Sequence, residues 1–220
     1  MKYSSVYHGH LHQSEKTGEL PVYDRSYSSE RYDKYPHTDK MSELRFYCVS
    51  SLFQFTSVLD FGYGNGSFLN QCYKMQKNCF GYDISDYPLQ GGIKKVESPF
   101  TNGYDLITFF DSIEHLEQES IVDFLKELKC QSIFISLPWY HNFGDEWFNG
   151  WKHRRENEHF HHFTAGGLCS TLEMAGFTPI YVGNPEDQIR KSDQPYPNIL
   201  SVGAIKIKAP KPPKIASKTP

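Results

Sequence analysis

The chain has 220 residues, 38% of them apolar and 15% aromatic, with a formal net charge of −3. That length suits one domain able to bury a core without staples, and so large an aromatic share excludes disorder throughout. No apolar run reaches the ~18 residues of a membrane span, the N-terminus lacks the apolar core of a secretion signal, and the five scattered cysteines form no C-x-x-C pair; a cytoplasmic protein without a disulfide framework is expected.

Residues 1–22 show no usable periodicity, and residues 23–35 are rich in tyrosine and charge. From Thr38 the pattern turns helical. Met41, Leu44, Cys48 and Leu52 recur at helical spacing behind Thr38 or Asp39 as a cap. Ser57-Val58-Leu59-Asp60-Phe61 reads as a short buried strand, followed by a glycine turn and a helix with Phe68, Cys72 and Met75 on one side. Further strands are expected at 78–83, weakly at 93–96, at 104–110 and at 132–137. A helix carrying Ile121, Val122, Leu125 and Leu128 precedes the last of these. After a polar, aromatic-studded stretch, Thr164 caps a helix bearing Leu168, Leu172 and Ala175, and Gly176 closes it. Two final strands are expected at 178–182 and 200–206.

Buried strands alternating with amphipathic helices imply an α/β fold, a three-layer sandwich with a mostly parallel sheet covered on both faces. The last two strands are joined without a helical pattern, so a hairpin with an antiparallel last strand is expected. The domain is assigned to residues 38–208, residues 1–37 form an N-terminal segment, and residues 209–220 form a disordered Lys/Pro-rich tail. Residues 206–220 hold five lysines and no acid, which leaves 18 basic against 26 acidic residues in the remainder. An acidic body of this kind speaks against a broad nucleic-acid footprint.

The most informative segment is Asp60-Phe61-Gly62-Tyr63-Gly64-Asn65-Gly66-Ser67. It places a glycine turn at the carboxyl end of the first strand of the alternating pattern, where open α/β sheets hold ligands. The G-x-G-x-x-G dinucleotide fingerprint fails by one residue, since Ser67 stands at its sixth position, and a P-loop would need a lysine. Asp83 ends the next strand, 19 residues beyond Gly64. A carboxylate there accepts hydrogen bonds from ribose hydroxyls.

The Asp-x-Gly-x-Gly-x-Gly pattern resembles the first motif of class I S-adenosylmethionine-dependent methyltransferases, of the type 11/23-like group. Tyr104-Asp105-Leu106-Ile107 followed by Asp111-Ser112-Ile113-Glu114-His115-Leu116 looks like that family's fourth strand and its ending, and His162-Phe163-Thr164 leads into what looks like the helix before its last hairpin. The resemblance covers roughly residues 40–208 and implies a Rossmann-like, seven-stranded sheet with the last strand antiparallel. It also implies S-adenosyl-L-methionine as cofactor. Gly62, Tyr63, Gly64 and Gly66 would lie under its methionine part, Asp60 near its amino group, Asp83 and Ile84 at the ribose end, and Phe110 and Asp111 toward the sulfonium. Tyr23, Tyr27 and Tyr32 would close over it as a lid, with Tyr27 counted among the cofactor contacts.

The acceptor side is less legible. All three tryptophans and several histidines fall within 139–162, and His141 and His159 are the candidate bases, since imidazole titrates near neutrality. His115 reads as structural. No metal is expected: H-E-x-x-H is absent, Glu158-His159-x-His161 has no standard ligand spacing, and His8-x-His10-x-His12 is thin. The N-P-P-Y-like tetrapeptide of amino-directed methylases is missing, with Phe110-Asp111-Ser112-Ile113 in its place. A methyltransferase acting on a small-molecule or oxygen acceptor is the leading reading. A catalytically inactive binding or scaffold domain and an NAD-dependent oxidoreductase stand as alternatives.

Overall fold

Seven strands build the central sheet in the computed structural model, which describes residues 3–7, 9–16, 18–19, 21–22 and 35–207. They are β3 (Ser57–Phe61), β4 (Asn78–Tyr82), β5 (Lys94–Lys95), β6 (Tyr104–Phe110), β7 (Cys130–Pro138), β9 (Phe177–Gly183) and β10 (Ile199–Lys206). Their order across the sheet is β5-β4-β3-β6-β7-β10-β9. The first five are parallel, and β10 inserts between β7 and β9, antiparallel to both. The expected antiparallel last strand and seven-stranded architecture are present.

Helices cover both faces because the strands are apolar on both. Leu106 and Phe110 of β6 join Phe46 and Val49 of α1 (Thr38–Leu52) and Phe68 and Leu69 of α2 (Ser67–Lys74). Ile107 and Phe109 join Leu125 of α3 (Ile121–Glu127) and Leu168 and Leu172 of α5 (Ala165–Met174) on the other side. Thr164 caps α5 by accepting the Gly167 N–H at 3.0 Å, and Gly176 follows with φ 87°.

Three details depart from the pattern. The buried face of α1 is Met41, Ser42, Phe46 and Val49, while Leu44, Cys48 and Leu52 are half-buried. Thr38 is no cap: His37 holds that position, and the Thr38 hydroxyl donates to the Tyr35 carbonyl at 2.8 Å. Met75 ends α2 exposed.

A second, three-stranded sheet joins β1 (Tyr3–Tyr7), β2 (His10–Gln13) and β8 (His161–Phe163), all antiparallel. With the short α4 (Asp145–Gly150) it encloses a satellite cluster of Tyr140, Phe148 and Trp151. Apolar alternation gives no warning of β2, because its buried positions are His10, His12 and Gln13. His10 stacks on Phe163 at 4.2 Å and bonds ring nitrogen to ring nitrogen with His161 at 2.8 Å. Tyr23, Tyr27 and Tyr32 and the Lys/Pro tail lie outside the described residues. No helix among the described residues is long and apolar enough to cross a membrane.

This histidine packing has a pH signature. Burial, with neighbouring His12 adding to it, holds His10 down to about 3, and burial with His10 beside it holds His161 to about 2. An unfolded histidine titrates near 6.5, so below that pH the unfolded chain binds more protons than the folded one. Each such residue therefore contributes stability that is complete above pH 6.5 and declines as the pH falls toward the folded value. His10→Phe is expected to make the acid-side decline shallower, by roughly 2 kcal/mol at pH 5. Urea unfolding of both proteins at pH 7.5 and 5 measures it, and identical slopes would refute the assignment.

Candidate functional site

The carboxyl ends of β3, β6 and β7, the start of α1 and the connection from β9 to β10 surround a cleft of about 830 Å³. Its floor is the glycine turn. Gly62, Gly64 and Gly66 all have left-handed backbones, with φ of 74°, 57° and 73°. Side chains are disfavoured there on conformational grounds alone. A Cβ on Gly62 would also come within 2.6 Å of Ser112 Cβ. The turn is tied down by Gly62 N–H to the Tyr82 carbonyl at 2.7 Å and by Gly66 N–H to the Tyr63 carbonyl at 2.8 Å. Gly66 then serves as the N-cap of α2.

Asp83 meets this turn directly. Its Oδ2 accepts the Gly64 N–H at 2.9 Å and its Oδ1 accepts the Ser85 N–H at 2.7 Å. Parallel pairing of β3 with β4, Phe61 opposite Tyr82, brings the two segments together. A carboxylate accepts about four hydrogen bonds, so two bonds fix its orientation and leave capacity for further donors. Gly66, Asp83 and Ile84, the last 72% exposed, are not among the residues that line the cleft; Asp83 reaches its edge through Gly64.

Asp60 lies buried at the end of β3 and accepts the Thr108 hydroxyl at 2.7 Å. Burial pushes its carboxyl up to about 7, against the opposing pull of Thr108 and Arg45. Tyr63 is buried, donates to the Tyr87 carbonyl at 2.7 Å, and lines the cleft together with Phe110. Burial, reinforced by Asp83 and Asp86, lifts the Tyr63 phenol to about 12.

Asp111 has the left-handed φ of 52° that Asp tolerates better than most residues. Its carboxylate is not free to face a ligand alone: Arg190 grips both oxygens and Arg45 reaches Oδ2 at 3.2 Å. Burial alone would raise this carboxyl, but the two guanidinium groups hold it well below the usual range. Arg45 also clasps Glu186, through Nε at 2.7 Å and Nη2 at 3.0 Å, and lies 4.2 Å over the Phe110 ring. Arg190 Nε lies 3.2 Å from Glu186. These four residues form one ion network on the cleft wall. Arg45, Glu186 and Arg190 carry no motif of their own; their only trace in the sequence is the Glu186/Arg190 pair four residues apart.

The two candidate bases separate. His159 lines the cleft, its ring set edge-on to His115 with centroids 4.6 Å apart. His141 lies outside the lining: its Nε2 bonds the Pro197 carbonyl at 2.8 Å, and its ring is stacked between Trp139 and Phe143. His115, expected to be structural, ends a 3₁₀ turn (Ile113–His115) and faces the cleft. With Glu114 and His159 it offers ligand atoms that all lie within 4.8 Å of one another, a grouping no sequence spacing announces.

A profile of the methyltransferase domain family matches residues 31–182. No curated protein matches the chain in sequence. Among solved structures, the chain is similar to 1,6-didemethyltoxoflavin-N1-methyltransferase from Burkholderia thailandensis, solved with bound 1,6-didemethyltoxoflavin and S-adenosylhomocysteine. The TM-score is 0.60 at 14% identity, over 94% of this chain and 100% of that one. A SAM-dependent methyltransferase from Archaeoglobus fulgidus gives 0.60 at 18% identity, over 84% and 100%. Magnesium protoporphyrin IX methyltransferase from Synechocystis, with bound S-adenosylhomocysteine, gives 0.55 at 12% identity, over 86% and 90%. With a family match over most of its length and the class I architecture of S-adenosylmethionine-dependent enzymes, the chain belongs to the methyltransferase domain family.

Proposed function

We propose that the protein transfers a methyl group from S-adenosylmethionine to an oxygen atom of a small-molecule acceptor. The observation that carries the cofactor half is the contact between the glycine turn and Asp83: a bare left-handed loop, and beside it a carboxylate oriented by two backbone N–H groups. In this reading the turn accommodates the methionine part, Asp83 accepts the ribose hydroxyls, and the buried Asp60 receives the amino group. Phe110 and the Arg45-buttressed wall face the sulfonium. Asp111 acts as a positioning residue, because its oxygens are committed to Arg45 and Arg190.

When bound, the cofactor supplies a methyl carbon already activated by positive sulfur. The protein's task is alignment and exclusion of water. A hydroxyl acceptor must also lose a proton, and the His115/His159 side of the cleft is where groups able to assist stand. A radiolabelled methyl-donor assay against fractionated host-cell extract tests the whole reading. Label transferred to a small molecule, located on oxygen by mass spectrometry, supports it, and label found only in macromolecules or nowhere overturns the acceptor class. Calorimetric titration with S-adenosylhomocysteine and with NAD decides the cofactor, and NAD binding in its place would revive the oxidoreductase reading.

Asp83→Ala is expected to weaken S-adenosylhomocysteine binding by about 1–3 kcal/mol, since charge-assisted hydrogen bonds to a ribose are lost. The same titration checks it, and an unchanged affinity would remove Asp83 from the ribose site.

A further inference from the structure

Glu114 is 1% exposed, and neither carboxyl oxygen has a hydrogen-bond partner among the described residues. A carboxyl so placed is costly unless something pairs with it. Burial, with Asp111 nearby, pushes it well above the usual range. The groups that converge on it are imidazoles. His115 follows it in the chain, and His159 arrives from the approach to β8, held there by the Phe160 N–H donating to the Glu114 carbonyl at 2.8 Å. His159 is 4% exposed, with Nδ1 unpartnered among the described residues. Burial, joined by the His115 and His162 rings, lowers its pKa well below the ordinary value.

We propose that Glu114, His115 and His159 bind a divalent transition-metal ion at the wall of the cleft, and that this ion takes the acceptor's hydroxyl oxygen as a further ligand. The chemistry of the donors selects the ion: two imidazoles and one carboxylate suit zinc, manganese, cobalt or iron better than magnesium or calcium, which prefer oxygen throughout. Three protein ligands leave coordination positions open, as in catalytic rather than structural sites. Ligand atoms within 4.8 Å of one another need only small rotamer adjustments to reach bond lengths of about 2.0–2.2 Å. The ion eases loss of the hydroxyl proton. That proton leaves to solvent, the oxygen forms its bond to the methyl carbon, and the methyl–sulfur bond breaks with its electron pair staying on sulfur. This step rests on the methyltransferase reading, whereas the ion site itself does not.

The test is equilibrium dialysis of the chelator-stripped full chain against zinc, manganese and cobalt chlorides, with the visible absorption of bound cobalt as a second readout and S-adenosylhomocysteine titration alongside. One ion retained per chain is expected. Glu114→Gln and His159→Gln, both close in size to the residues they replace, should weaken ion binding more than about tenfold, beyond the lower end of what loss of a ligand's supporting partner costs. S-adenosylhomocysteine affinity should stay within about twofold of the parent. Stripped parent protein that binds S-adenosylhomocysteine yet retains no ion overturns the site and leaves Glu114 protonated. Variants that hold the ion as the parent does overturn the ligand set. Should a variant fail to fold, the parent's stoichiometry and cobalt spectrum decide alone. A parent that retains the ion but not S-adenosylhomocysteine supports the site and refutes the methyltransferase reading instead.

Discussion

Gly64→Val is expected to weaken S-adenosylhomocysteine binding more than about 100-fold, roughly 2.7 kcal/mol, while leaving the far-ultraviolet circular dichroism of the parent. Two effects coincide. A β-branched residue is a conformational outlier at a φ of 57°, and its side chain would project from a backbone that lines the cleft. The shift would also disturb the 2.9 Å bond from Gly64 N–H to Asp83. Gly62 would be the poorer choice, because its Cβ would strike Ser112 and confound binding with stability. Calorimetric titration and circular dichroism together check the expectation. A folded variant that binds like the parent would show that the turn is not the cofactor's seat.

The second large effect belongs to stability. Arg45→Met should destabilise the fold by about 3–5 kcal/mol, the range for removing one partner of a buried ion pair. The Glu186 side chain is 3% exposed and takes two hydrogen bonds from Arg45. Without them it keeps, among the described residues, only Arg190 at 3.2 Å, and Phe110 loses its covering cation. Thermal unfolding is expected about 10 °C or more below the parent. The double variant Arg45→Met/Glu186→Gln should recover part of the loss, because it removes the stranded charge as well. A single-variant loss under about 1 kcal/mol would place the network with solvent-screened surface pairs.

Strands β3, β6 and β7 were legible as short apolar runs bounded by turn residues, and β3, β6 and β10 match the expected limits to within a residue, whereas β5, two exposed lysines, gave only a weak signal. The glycine turn and Asp83 were legible for a different reason: their roles depend on backbone freedom and on one charge at a strand end, both visible locally. The phase of α1 was not. Two overlapping stripes exist there, and small Ser42 beside Phe46 and Val49 decides which one packs. The hairpin of β1 and β2 hid because its interior is built from histidine and tyrosine rings. Arg45 with Glu186, and Glu114 with His159, hid because their partners lie 141 and 45 residues apart along the chain, a separation no local pattern records. His141 was chosen for its chemistry and its loop, and its ring stacks on Trp139 and Phe143, outside the cleft lining.

The insertion of β10 between β7 and β9 sets the order in which the molecule can be completed on the ribosome. β7 carries Ile133, Phe134 and Ile135 along an edge that finds its second neighbour only when residues 199–206 have emerged, and β9 has no other partner strand in the sheet. Until then the nascent chain presents a hydrophobic, unpaired border, the kind of surface that recruits stray strands. Completion of this sheet is thus a late, non-local event in the life of the polypeptide.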